Sequence, residues 1–231
     1  MTSPLPPRLL LIDTSGRVGL LGVASGATLL AERRLDETRR HARDLAPAVS
    51  DLLGEQAWRP SDITAVIVSL GPGSYTGLRV GVMSAKTLAF ATGCAVVGVP
   101  TFEVLARQAE TSALELSVIA DAQRDNLYVQ PFSRQAAMEA FRPTGEVAVV
   151  PGLEWAARLP PGTAVIGPGL AKAAAWLPPE AIQEPPSPGP IAGLLAVGLE
   201  RYERGVLADP LRLEPLYFRR SSAEEQWDRR P

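Results

Sequence analysis

The residues of this chain best equipped for chemistry are two aspartates at strand ends, a single histidine and a run of glycines. Asp13-Thr14-Ser15 follows the apolar stretch Leu9-Leu-Leu-Ile12, which gathers a carboxylate and two hydroxyls where a strand stops. Such a group can hold a phosphate, or a magnesium ion through water. It can equally close a hairpin as an Asx or Ser/Thr turn. The turn is the simpler reading, because the second half of the chain offers no matching glycine-rich phosphate loop of clear form. Asp121 ends a comparable strand, Leu116-Ser-Val-Ile-Ala120, so two acids are expected to face each other across a cleft. His41 is the only histidine. A Ser-His-Asp triad would have to use it, and a metal site built on a histidine pair is excluded by counting. His41 reads instead as a helix-start residue that supports packing or a partner interface. Cys94 is the only cysteine, which removes intrachain disulfides and thiolate zinc clusters. Its apolar neighbours make it a buried small residue.

The glycines stand in Ser69-Leu-Gly-Pro-Gly-Ser-Tyr-Thr-Gly-Leu-Arg-Val-Gly-Val82, between an apolar strand, Ile63-Thr-Ala-Val-Ile-Val-Ser69, and an amphipathic helix from residue 76 to 91. Three chemical motifs fail here. A phosphate-binding P-loop needs Gly-Lys-Ser/Thr where this run has Gly77-Leu-Arg, and a dinucleotide fingerprint needs a tighter glycine spacing. A nucleophile elbow needs a residue between glycine and serine, and Ser74 follows Gly73 directly. The run is therefore first a structural crossing, with Gly93 as the helix stop. Along the helix Gly77, Gly81 and Ala85 line one side; Val80, Met83 and Thr87 line another. The residues alone leave two readings open. Either both sides are buried in this chain, or one docks a helix pair from another protein, with small residues for close approach and Met as an adaptable filler.

The elements that must position these residues follow in order. Strands near residues 9–12, 18–24 and 27–33 form a meander, and a helix near 39–53 carries Leu45, Val49 and Leu52 on one side with Pro47 inside it. After the central helix come a strand at 95–99 and a helix N-capped by Thr101. In the second half, strands at 116–120 and 127–132 flank the turn Gln123-Arg-Asp-Asn126. The pattern of the first half is then lost among prolines, until a helix at 191–202 with Leu194, Leu195, Gly198 and Leu199 inward. This order predicts an α/β fold of two unequal lobes, ribonuclease-H-like as in actin and Hsp70, with a reduced second lobe. Residues 1–105 form the first and 106–231 the second, the final segment packing back on the first. The 231 residues are 46% hydrophobic, enough for a substantial core. A net charge of −2 offers no field for nucleic acid. No apolar stretch spans a bilayer and no secretory signal is present, so a cytoplasmic protein without membrane contact is expected.

Gly71-Pro-Gly-Ser-Tyr-Thr-Gly-Leu-Arg-Val-Gly81 resembles the signature of the TsaB (YeaZ) family of bacterial tRNA threonylcarbamoyladenosine biosynthesis proteins, usually GPGSFTGxRxG. Further matches come in the family's order: Leu11-Ile-Asp-Thr-Ser15, His41 before an apolar helix, Val99-Pro-Thr101, Asp121-Ala-Gln-Arg124 followed by Tyr128, and Pro215-Leu-Tyr-Phe-Arg219 with Ala223-Glu224. The resemblance implies a non-catalytic scaffold that pairs with a TsaD-type transferase, acts with a TsaE-type ATPase, meets tRNA only through that complex, and forms a homodimer when alone. It implies no tightly bound cofactor, and a nucleotide with magnesium only at a complex interface. It tips the central helix towards docking, with an interface of Gly77, Arg79, Val80, Gly81, Met83, Ala85 and Thr87 joined by His41 and Leu45. Asp13, Thr14, Ser15 and Asp121 would be a vestigial nucleotide site. The alternatives are a stand-alone ATPase or small-molecule kinase of the same fold using Asp13 and Asp121, and a peptidase, which the missing nucleophile motif opposes.

Overall fold

The computed structural model describes residues 5–35, 41–178, 181–183 and 190–218; at 41–42, 182–183 and 190 it describes the backbone alone. The chain divides into two units, one of Met1–Val104 with Gly189–Pro215 and one of Leu105–Pro188 with Leu216–Pro231.

In the first unit, β1 (Arg8–Asp13), β2 (Leu20–Ser25), β3 (Thr28–Arg34), β4 (Ala65–Ser69) and β5 (Ala95–Val99) form one sheet in the order β3-β2-β1-β4-β5. The β1–β2 and β2–β3 pairs are antiparallel; β1–β4 and β4–β5 are parallel. That is the ribonuclease-H-like order. Side chains alternate across a strand, so an uninterrupted apolar run serves two faces. Leu10, Ile12, Val66 and Val68 join a core with α1 (His41–Glu55) and α2 (Tyr75–Thr92), whereas Leu9, Leu11, Ala65 and Ile67 pack with α6 (Pro190–Glu203). Pro47 lies inside α1. The expected start of that helix at Arg39 falls outside the described residues.

Placing α6 in the second lobe needs correction. Both faces of the first sheet are apolar and α1 and α2 cover only one, so the second face recruits a helix from far along the chain. Gly198 and Gly22 make this possible: a Cβ on Gly198 would overlap Ile67, and one on Gly22 would lie 2.9 Å from Ile191. Arg201 then pairs with Glu103 of α3 (Thr101–Arg107), at 3.0 and 2.8 Å from its two carboxylate oxygens.

The second unit has β6 (Glu115–Asp121), β7 (Asn126–Ser133), β8 (Arg142–Pro143), β9 (Ala148–Pro151), β10 (Ala164–Ile166) and β11 (Ile182–Gln183), with α4 (Gly152–Ala156) and α5 (Leu170–Ala173). Its sheet runs β11-β10-β6-β7-β8, with β9 also on β7. The β6–β7 pair is antiparallel, and β6–β10 and β10–β11 are parallel. This is the first unit's order again, with β8 and β9 in the place of β3. The expected loss of pattern in the second half is thus corrected: the pattern persists in miniature. β10 has three residues where β4 has five, and α5 has four where α2 has eighteen. The chain is an α/β protein of two actin-like lobes, the second reduced.

Candidate functional site

The glycine crossing joins β4 to α2. Gly71 sits at φ 111°, a left-handed value that suits glycine, and the Gly71–Pro72 peptide is cis. Thr101 holds this turn from the side. Its N–H donates to Gly71 O at 2.8 Å, and its Oγ1 accepts from Gly71 N at 3.0 Å. The expected N-cap role of Thr101 therefore gives way to a latch on the glycine turn. Ser74 caps α2, accepting from Gly77 N at 3.2 Å, and Gly93 ends the helix at φ 76°.

The stripe Gly77, Gly81 and Ala85 faces inward. A Cβ on Gly73, Gly77 or Gly81 would overlap Ser15 O, Thr14 O or Thr14 Oγ1 respectively, and Ser74 N–H donates to Ser15 O at 2.7 Å. The glycines thus let α2 lie directly on the loop that leaves β1. Gly77, Gly81 and Ala85 are buried, as is Leu45 in the core beneath α1, and Val80 is half-buried against that core. The expected place of Gly77, Gly81, Ala85 and Leu45 on a docking face is corrected accordingly; Val80 keeps a partly open side chain. His41 opens α1; its side chain lies outside the described residues, as do Arg219, Ala223 and Glu224 of the final motif.

Asp13 is only 2% exposed. Its Oδ1 accepts from Ser15 N at 2.9 Å, Ser15 Oγ at 2.6 Å and Ser69 Oγ at 2.7 Å. Thr14 Oγ1 is buried against Gly81 with no hydrogen-bond partner. The Asp13-Thr-Ser group is therefore a turn tied to β4 and sealed by α2. It does not fit a nucleotide with magnesium: its acid is turned inward on hydroxyls, and the first turns of α2 lie against its carbonyls.

Asp121 belongs to the second unit and has a different environment. Its side chain is 54% exposed, and Oδ1 accepts from Lys172 Nζ at 2.8 Å and Gln123 N at 2.7 Å. Burial alone would raise its pKa. The Lys172 hydrogen bond, the Gln123 N–H and the Lys172 charge outweigh that and hold it below the usual carboxylate value. The turn that follows is left-handed at three successive non-glycine residues, Gln123, Arg124 and Asp125, with φ 65°, 47° and 60°. It is tied by Asn126 N to Gln123 O and by Gly152 N to Asp125 O. After β10 comes Gly167-Pro168-Gly169, with Gly167 at φ 109°, in the position that Gly71-Pro72-Gly73 takes after β4. The second half thus has a glycine turn matching the first, which the sequence reading, searching for a phosphate loop, did not single out.

What α2 leaves outward is a different stripe. Arg79, Met83, Thr87 and Phe90 follow one another at helical spacing and are exposed, Met83 by 57% and Phe90 by 89%. The Arg79 guanidinium lies over the Tyr75 ring, 4.5 Å from its centroid, and Thr87 Oγ1 donates to Met83 O at 2.8 Å. Phe90 escaped the sequence reading, which followed the stripe only to Thr87. The signal was there: Phe90 stands two turns beyond Met83. Among the described residues no three His, Cys, Asp or Glu side chains group as a metal ion would need.

Residues 28–158 match the family model TsaD, described as tRNA N6-adenosine threonylcarbamoyltransferase. The tRNA threonylcarbamoyladenosine biosynthesis protein TsaB of Bacillus subtilis is 32% identical over 147 residues, 63% of this chain and 64% of that protein, just under two thirds of its length. An uncharacterized Mycobacterium tuberculosis protein is 32% identical over 94% of this chain and 93% of its own. Among solved structures, an uncharacterized Pseudomonas aeruginosa protein with similarity to peptidase YeaZ aligns with TM-score 0.78 at 27% identity, covering 92% of this chain and all of that one. Matched by the TsaD model over more than half its length, the chain belongs to the family that holds TsaD and TsaB, on its TsaB (YeaZ) side.

Proposed function

We propose that this chain is a non-catalytic scaffold subunit of the machinery that forms threonylcarbamoyladenosine in tRNA. In this reading it docks and stabilises a TsaD-type transferase through the outward stripe of α2, acts with a TsaE-type ATPase, and meets tRNA only through the complex. Alone, it forms a homodimer through the same stripe. It holds no cofactor tightly. The names of its relatives support the pathway. The observation that carries the docking is Met83 and Phe90, two large apolar side chains held out from a helix whose other face is packed. Arg79, stacked on Tyr75, adds a cation beside them. The inward commitment of Asp13 supports the absence of catalysis, since it leaves the first unit without the acid that a kinase or ATPase reading needs.

Anchors of this kind cost about 2 kcal/mol or more when truncated, roughly thirty-fold in affinity. Met83→Ala with Phe90→Ala is expected to leave the chain folded and weaken the transferase complex by that factor. Sedimentation of the two proteins together measures it. Titration with ATP and magnesium tests the stand-alone ATPase or kinase alternative: tight binding to the isolated chain, lost in Asp121→Ala, would favour that reading over the scaffold.

A further inference from the structure

The first sheet has two outer strands, β3 and β5, and they are built differently. An outer strand presents unpaired N–H and C=O groups on which another chain can pair, and proteins blunt it with charges, prolines or bulges. β3 carries Glu32, Arg33 and Arg34, and its pairing with β2 has an irregularity at Val23/Ala24. β5 reads Ala95-Val-Val-Gly-Val99, with none of these devices, and is the kind of apolar, uncharged segment that self-associates when exposed. It is covered instead by chain returning after α6. Ala208 N–H donates to Val96 O at 2.8 Å, and Arg201 reaches Gly98 O at 3.5 Å. Leu213 is buried over Gly98, with Cδ1 3.2 Å from where a Cβ on Gly98 would stand. Lys86 of α2 fastens the segment, its Nζ donating to Leu211 O at 3.3 Å and Leu213 O at 3.1 Å.

We propose that residues 206–213 are an edge guard, latched by Lys86, that keeps β5 from pairing with the β5 of a second copy of this chain. The device is independent of the outward stripe of α2, so it stands whether or not that stripe docks a partner. Lys86→Met removes both ties while keeping the side-chain stem, and Ala208→Pro removes the N–H given to Val96. In Lys86→Met the Ala208 amide should exchange with solvent about tenfold faster, as local opening requires. On sedimentation, both variants should grow large species at concentrations where the parent chain does not. A synthetic peptide of residues 206–215 should suppress that growth. It should persist when Met83→Ala and Phe90→Ala are added. Unchanged exchange and sedimentation in Lys86→Met would overturn the proposal, even if Ala208→Pro failed to fold. So would association that the α2 substitutions abolish or that the peptide leaves untouched.

Discussion

The two units repeat one chain path and treat the same turn in opposite ways. In each, an aspartate ends the first strand and accepts the N–H two residues on, Asp13 from Ser15 and Asp121 from Gln123. In each, a Gly-Pro-Gly follows the strand that pairs parallel with the first, β4 beside β1 and β10 beside β6, with its first glycine near φ 110°. The difference is the helix that comes next. The eighteen residues of α2 bring glycines down onto the Asp13 turn and seal it. The four residues of α5 contribute Lys172, and Asp121 stays half in water. The length and small-residue content of one helix therefore decide whether the turn becomes core or surface. They also leave α2 long enough to carry a second, outward stripe.

Substitutions at matching positions should affect the two turns unequally. Gly77→Ala drives a methyl into the Thr14 carbonyl, a backbone atom that cannot swing aside, and is expected to cost about 3 kcal/mol. Gly169→Ala also meets backbone, that of Ala120 and Ile119, but at 3.0 Å and not in overlap, and should cost about 1 kcal/mol. Chemical unfolding of the two variants side by side measures both, and equal losses would refute the claim that only the first turn is sealed.

Asp13→Ala strips the hydroxyls of Ser69 and Ser15 of a buried acceptor and is expected to cost about 2 kcal/mol. Asp121→Ala removes a solvent-screened pair and should cost about 0–1 kcal/mol. A larger loss at Asp121 would reverse the ranking of the two turns.

The smallest effect is one of pH. A carboxylate such as Asp121, whose folded pKa is held below its unfolded value, stabilises the fold above the unfolded value and loses the contribution as pH falls through the folded one. Lys172→Met should let the Asp121 titration, followed by carbon NMR, move upward. A titration that stayed in place would mean that Lys172 does not hold the acid.

Much of this was legible in the sequence because it is local. Ile63-Thr-Ala-Val-Ile-Val-Ser69 announced a buried strand, Gly93 announced the end of α2, and the motif pieces named the family. What was not legible depends on neighbours distant in sequence. Helical spacing sorts Gly77, Gly81 and Ala85 from Met83 and Thr87, but it does not say that the Thr14 carbonyl waits beneath the glycines. Nor does it say that Leu45 is core. The inward face of α6 was readable, but not that it belonged to Ile67 and Leu11 of the first sheet. The repeat in the second unit hid because strands of two or three residues and a one-turn helix fall below the span that periodicity needs.

The proposed function places docking on the outward stripe of α2. Sedimentation of Met83→Ala with Phe90→Ala, alone and with a TsaD-type transferase, tests it most directly. A folded chain, a homodimer shifted to monomer and a complex weakened about thirty-fold are expected. A homodimer and a complex both as tight as those of the parent chain would contradict it.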